Sequence, residues 1–119
     1  MNLEELRLYC LNKPGVTEHF PFDNETLVFK VMGKMYALIP LESPEMSINL
    51  KCDPDVAIQL REMYSGVKPG WHMSKVHWNT VVADGSFTDA QLTEWIDNSY
   101  DLIVAGLTKK LKEELKNLS

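Results

Sequence analysis

The chain has 119 residues, of which 45% are hydrophobic and 24% charged, a composition typical of one ordinary globular domain. Its formal net charge of −5 at pH 7 disfavours indiscriminate binding to a polyanion, because attraction to phosphates dominates non-specific affinity for nucleic acids. Apolar runs are short and the N-terminus carries Glu4 and Glu5. We therefore predict no membrane span, no signal peptide and a cytoplasmic location.

The first half of the chain predicts a short helix followed by strands. Asn2 and Glu5 have the spacing of a capping box at the start of a helix. Between Thr17 and Lys51, apolar and polar residues alternate, which predicts strands that are buried on one side. The dipeptide Gly33-Lys34 fits a two-residue hairpin with glycine at the first turn position, so we expect antiparallel pairing.

The middle of the chain predicts a second helix and then another strand. Asp53-Pro54 has the pattern of a helix N-cap followed by proline at the first helical position, and Gly66 is placed to end that helix. From Val76 to Ala83 the alternation returns, with Val76, Trp78, Thr80 and Val82 on one face. This pattern predicts that Trp78 lies in the core.

The end of the chain predicts one long helix. Thr88 and Gln91 form a capping-box pair, and apolar residues then recur with helical spacing from Leu92 to Leu115. The order of elements is therefore α-β-β-β-β-α-β-α, without the βαβ alternation of a parallel sheet. We predict a single α+β domain over residues 1–119, a two-layer sandwich in which an antiparallel sheet packs against helices.

The segment GVKPGWHMSKVHWNTV, residues 66–81, is dense in chemically active side chains. His72 and His77 are five residues apart, with no carboxylate or cysteine in the segment to complete a metal site. Ser74 has no base with an evident orienting partner, and no catalytic motif such as GxSxG or HExxH is present. These observations predict a protein that is not an enzyme, with no cofactor and no metal.

Nucleic-acid binding is the stronger functional interpretation of this segment. Lys68, Lys75, His72 and His77 could reach phosphates from a turn, and an exposed Trp71 could stack on a base. The structural alternative is that the tryptophans only pack under the sheet. The sequence also places four lysines after residue 106, so a basic patch would form if this tail lay beside the segment.

Two stretches of the sequence resemble the MmcQ/YjbR family of small bacterial proteins. They are PGWHMSKVHWNTV followed by DGSFTDAQLTEWIDNSYDLIV, and PGVTEHFPFDNETLVFKVMGKMYAL upstream. The resemblance implies a compact α+β unit of the kind compared with frataxin-like and secretion-chaperone-like sandwiches. Family members often carry the label "DNA-binding", so the resemblance implies DNA as a candidate partner, while it brings no established catalytic role.

Two hypotheses follow for the function of the chain. The first is a non-enzymatic binding module that engages DNA through five residues, namely Lys68, Trp71, His72, Lys75 and His77. The second is a protein-interaction or chaperone-like module in which an exposed sheet face or the C-terminal helix binds a partner peptide or a second copy. An exposed apolar patch would favour the second hypothesis, and a continuous basic surface would favour the first.

Overall fold

The computed structural model describes residues 1–118. The helices are α1 (Leu3–Leu11), α2 (Pro54–Met63), α3 (Asp89–Ala105) and α4 (Lys109–Lys116). The strands are β1 (Val16–His19), β2 (Thr26–Val31), β3 (Lys34–Pro40), β4 (Ser47–Lys51), β5 (Val67–Pro69) and β6 (Trp78–Val82). Within this range, no helix has both the length and the apolar character needed to cross a membrane.

The six strands form one antiparallel sheet in the order β1-β2-β3-β4-β6-β5. The main core lies between one face of this sheet, here called the helix face, and the helices. The opposite face, here called the open face, carries a small apolar cluster to which no helix contributes a residue. The predicted α+β two-layer sandwich and the predicted order of its elements are confirmed.

The structure refines the order of elements at two points. A three-residue strand, β5, is added at the sheet edge between α2 and β6. The predicted long C-terminal helix is divided into two helices. The first, α3, ends at its C-cap Gly106. The second, α4, begins after Thr108, whose side chain caps it by accepting a hydrogen bond from Leu111 N. Ile96 of α3, Leu107 of the linker and Leu115 of α4 are all buried in the main core, so the break lets both helices pack against it.

The β2–β3 hairpin turns one residue earlier than predicted. Val31 pairs with Lys34, which leaves Met32 and Gly33 as the two turn residues. Both have positive φ angles, 50° and 85°, the geometry of a type I′ turn. Glycine therefore occupies the second turn position rather than the first, and Lys34 already belongs to β3.

A register shift between Phe29 and Lys30 places Tyr36 opposite no partner in β2. Tyr36 is fully buried in the main core, and its hydroxyl donates to Cys10 O at 2.5 Å.

Strands β3 and β4 pair at only two positions, and the buried Ser99 hydroxyl of α3 bridges the point where they separate. It donates to Tyr36 O at 2.6 Å and accepts from Lys51 N at 2.9 Å.

We expect Ser99→Ala to lower the free energy of unfolding by about 1–2 kcal/mol, because it leaves a buried carbonyl and a backbone N–H without their shared partner. Urea denaturation followed by circular dichroism measures this change. Ser74→Ala is the matched control, since Ser74 is exposed and its hydroxyl makes no hydrogen bond within residues 1–118. Equal stability of the two variants would contradict the bridging role of Ser99.

The open-face cluster contains the buried residues Val28, Leu38 and Trp78, with Met35 and Met73 packed against them. Burial of Trp78 is therefore confirmed, but Trp78 packs on the open face, and Val81 is the residue of β6 that enters the main core. Val76 was predicted to share the Trp78 face of the strand. It precedes β6 and is 59% exposed.

The end of the sheet beside β5 is held by the carboxylate of Asp84. Asp84 accepts hydrogen bonds from the hydroxyls of Ser65 and Ser86, at 2.7 and 2.6 Å, and from Ser86 N. The Ser86 hydroxyl in turn accepts from Gly66 N at 3.1 Å. These bonds, chiefly those from Ser86 and Ser65, lower the pKa of Asp84 to about 2.

We expect Asp84→Asn to lower the melting temperature at neutral pH. The folded-state pKa of Asp84 lies below its ordinary value of 3.8, so its ionised form stabilises the fold above about pH 4, and this contribution is lost as the pH falls toward 2. The difference in melting temperature between wild type and Asp84→Asn should therefore shrink across that pH range. Asp101→Asn, which removes an exposed acid of α3, is the control. A difference that stays constant with pH would count against this role of Asp84.

Candidate binding site on the open face

The loop of residues 70–77 folds back over the open face between β5 and β6. Gly70 N donates to Trp78 O, and Trp78 N donates to Ser74 O, both at 2.9 Å. A Cβ atom at Gly70 would lie 2.8 Å from Trp78 Cβ and 2.9 Å from Trp78 O. Only glycine fits this close approach, which seats the loop on the start of β6.

Arg61 of α2 holds the same loop from the other side. Its Nε donates to Asn79 Oδ1 at 2.7 Å, and its Nη2 donates to Trp78 O at 3.2 Å and also to Lys75 O. Asn79 is only 2% exposed, and its Nδ2 donates to Ala57 O at 3.4 Å. The loop is thus fixed to α2 and β6 before any ligand binds.

Three of the five predicted site residues lie together. Lys68, Trp71 and His72 line a groove on the open face. The Trp71 and His72 rings have centroids 4.1 Å apart, and His72 has a positive φ of 59°.

The other two predicted site residues, Lys75 and His77, are exposed but do not line the groove. The Lys75 ammonium donates to Gly70 O at 3.1 Å, across its own loop. The backbone carbonyl of His77 accepts a hydrogen bond from Cys52 N at 2.8 Å. The predicted set is therefore divided between the groove and the outside of the loop.

The groove consists of two adjoining cavities of about 320 and 650 Å³. The shared lining includes Asp23, Asn49, Trp71 and His72. The larger volume lies in the range of ordinary ligand sites. The groove is open to solvent, and one of its walls is the loop of residues 70–77 described above.

The floor of the groove is polar although its residues are buried. Asn49 and Ser47 are only 7% and 6% exposed. Trp71 N donates to Thr80 Oγ1 at 2.9 Å, and Thr80 Oγ1 donates to Asn49 Oδ1. No partner for Asn49 Nδ2 lies among residues 1–118, so this amide group is available to a bound molecule.

The second wall is formed by residues 22–25 of the loop between β1 and β2, a segment that the sequence did not indicate as part of the site. Phe22 is 65% exposed and lines the smaller cavity together with Trp71, which is 63% exposed. Asp23 Oδ1 accepts from Glu25 N at 2.9 Å and from Thr26 N at 2.7 Å. These two backbone hydrogen bonds lower the pKa of Asp23, so the carboxylate is ionised at neutral pH.

The charges around the groove are mainly negative. Asp23, Glu25 and Glu42 line it, against the single lysine Lys68. None of the four lysines after residue 106 lines either cavity. All four belong to α4, which lies at the β1 edge of the sheet, since its Leu115 is beside Gly15. Lys68 is on β5, at the opposite edge. The tail therefore adds no positive charge to the groove.

Other chemically active groups are engaged elsewhere. Asp97 accepts a hydrogen bond from Tyr9 Oη at 2.7 Å and contacts Lys13 Nζ at 2.5 Å. Both cysteines are free, and burial raises the pKa of each thiol, that of Cys10 to about 12. In the part of the chain that the structure describes, no group of three or more potential metal ligands comes together.

Two solved structures are similar to this one over most of the chain. A Deinococcus radiodurans protein of known crystal structure has a TM-score of 0.90 and 38% sequence identity, and the match covers 97% of this chain and 88% of that one. A Pseudomonas syringae protein has a TM-score of 0.73 and 28% identity, covering 86% of this chain and 98% of that one.

The sequence comparisons agree with these structures. Uncharacterized protein YjbR of Escherichia coli (strain K12) is 33% identical over 118 residues, which cover 99% of this chain and 100% of the relative. Uncharacterized protein YbdF of Escherichia coli O157:H7 is 34% identical over 113 residues, covering 95% of this chain and 93% of the relative. The YjbR family model matches residues 11–102. The chain therefore belongs to the YjbR family, as its two motifs predict.

Proposed function

We propose that the chain is a non-enzymatic binding module and that the groove on the open face is its binding surface. The observation that carries this proposal is the pair of exposed rings, Phe22 and Trp71, that line one cavity above the buried Asn49. Exposed aromatic side chains on loops held by a rigid sheet are typical of recognition sites. Because the loop of residues 70–77 is already fixed, binding costs little conformational entropy there.

Several features of the groove support binding rather than catalysis. His72 and Asp23 both line it, but no hydrogen bond joins them among the described residues. Asp23 Oδ1 is occupied by two backbone N–H groups, and the His72 ring lies against Trp71. A general base needs a partner that orients it, and a nucleophile within reach of it.

We infer that the partner is a protein segment. Three carboxylates against one lysine repel a phosphate backbone, whereas apolar and aromatic walls suit the side chains of a peptide. This corresponds to the protein-interaction alternative of the sequence analysis.

The test is an NMR titration with an equimolar pool of short synthetic peptides that together contain all twenty side chains. We expect saturable amide shifts in residues 22–25, 47–49 and 70–73, and their loss in Trp71→Ala. Phe20→Ala is the matched control, because Phe20 is 49% exposed but lines neither cavity of the groove. Shifts that lie elsewhere on the surface, or that persist in Trp71→Ala, would overturn the proposal.

Single-stranded DNA is the second candidate ligand, and one observation favours it. Lys68 lines the groove together with the exposed Trp71, so a phosphate and a stacked base could be held side by side. Titration with oligothymidine at about 50 and 200 mM salt tests this candidate, and charge reversal at Lys68 should reduce the salt slope by about one unit. Lys75→Glu should act mainly through the loop, because the Lys75 ammonium bonds Gly70 O.

A further inference from the structure

We propose that the groove recognises a basic peptide segment, with an arginine or lysine side chain in the smaller cavity and a backbone carbonyl of the peptide on the Asn49 amide. This inference rests on the proposed function, since it names the class of partner for the same site.

The smaller cavity has the chemistry of a site for an organic cation. Its lining contains the rings of Phe22 and Trp71 and the carboxylate of Asp23, and it contains no lysine or arginine. A guanidinium or ammonium group is attracted to the face of an aromatic ring, and tryptophan is the strongest partner. Leu38 and Met73, which also line this cavity, suit the apolar stem of a long basic side chain.

The carboxylate of Asp23 is positioned to pair with a cation through its second oxygen. Both backbone hydrogen bonds that Asp23 accepts go to Oδ1. The other oxygen, Oδ2, accepts no backbone hydrogen bond among the described residues, and the Thr26 side chain makes only a smaller contribution to lowering the pKa of this carboxyl. The carboxylate can therefore pair with a cation without giving up the turn that positions it.

The buried floor selects a peptide rather than a bare cation. Asn49, 7% exposed, lines both cavities and offers the two N–H donors of its amide, and Ser47 also lines the larger cavity. A nearly buried amide donor gains most from a carbonyl acceptor, which a peptide backbone supplies at every residue. The carboxylates of Glu25 and Glu42 beside the larger cavity favour further positive charge along the same segment.

The test compares two peptides that differ only in charge. The first has the sequence Gly-Ala-Arg-Leu-Arg-Ala-Gly with both ends blocked, and the second carries citrulline, a neutral isostere, in place of each arginine. Amide shifts give both dissociation constants, and such titrations reach a Kd of about 1 mM. We expect the arginine peptide to bind several-fold more tightly and to shift residues 22–23, 49 and 71–73.

Two protein variants test the role of Asp23. Asp23→Asn keeps the Oδ1 that accepts the turn hydrogen bonds, so the loop should remain folded. It should weaken the arginine peptide about three- to fivefold, the range of an exposed ion pair, and should leave citrulline-peptide binding unchanged. Glu62→Gln is the control, because Glu62 is an exposed acid of α2 that lines neither cavity and its loss changes the net charge equally.

The possible contrary results separate this inference from the proposed function. Equal binding of both peptides in the groove would leave a peptide-binding module and overturn its selectivity for basic segments. If neither peptide shifts the groove residues but the peptide pool does, the inference alone is overturned. If the pool also fails to shift them, the proposed function is overturned as well. Binding of free arginine amide as tightly as the peptide would assign the cavity to a small organic cation and overturn the peptide partner.

Discussion

Trp78→Ala is expected to lower the free energy of unfolding by about 3–5 kcal/mol, the usual cost of removing a large buried aromatic side chain. Trp78 is 9% exposed and joins Val28 and Leu38 under Met73, so the variant leaves a cavity beneath the loop that forms one wall of the groove. Urea denaturation measures the loss of stability. The amide shifts of residues 70–73 report whether the loop also loses its fixed position.

Trp71→Ala is the matched control for this prediction. The two tryptophans belong to the same segment, but Trp71 is 63% exposed, so its removal should change the free energy of unfolding by no more than about 0.5 kcal/mol. The pair thus separates a tryptophan that supports the fold from one that is free to contact a ligand. A similar loss of stability in both variants would contradict the assignment of Trp78 to a second core.

Gly70→Ala is expected to destabilise the protein by about 2–3 kcal/mol, because the new methyl group would overlap the backbone of β6. The Cβ atom would lie 2.9 Å from Trp78 O and 3.1 Å from Trp78 C, and the Gly70 N to Trp78 O hydrogen bond would have to lengthen. We also expect weaker binding of any groove ligand, since Trp71 follows directly. Thermal unfolding and the peptide titration measure the two effects.

The control for Gly70 is Gly106, the C-cap of α3. Its φ is −88°, and a Cβ atom there would meet only Ile103 O at 3.6 Å and Leu102 O at 3.8 Å, ordinary contact distances. Gly106→Ala should therefore change stability by less than about 1 kcal/mol, with either sign. If Gly70→Ala proves as mild as Gly106→Ala, the close approach of the loop to β6 is not a constraint on the sequence.

The capping and turn residues predicted most of the elements because these signals are local. The capping boxes at Asn2 and Thr88 are both present in the structure. The C-terminal helix shows the limit of such signals, since its apolar spacing continues across Gly106 to Thr108, where the chain ends one helix and begins another. Gly106 and Thr108 are themselves C-cap and N-cap residues, and reading them as such would have predicted the break.

The candidate site was predicted only in part. The density of aromatic and basic residues indicated Lys68, Trp71 and His72, which line the groove. Phe22 carries only a weak signal, an aromatic residue beside proline in a loop. Asn49 carries none, because alternation in β4 places it on the side expected to face solvent.

The residue pattern alone predicts the family, the types of element and their antiparallel arrangement, because periodicity, caps and turns act over a few neighbouring residues. The open sheet face, and the burial of Asn49 and Ser47 on it beneath two loops, depend instead on how the strands and loops assemble. The groove joins residues 22–26, 38–49, 68–73 and 80–82, segments far apart in the chain. Their charges and rings become one surface only when strand pairing sets them side by side, as it does Asn49 and Thr80, which are 31 residues apart in the chain.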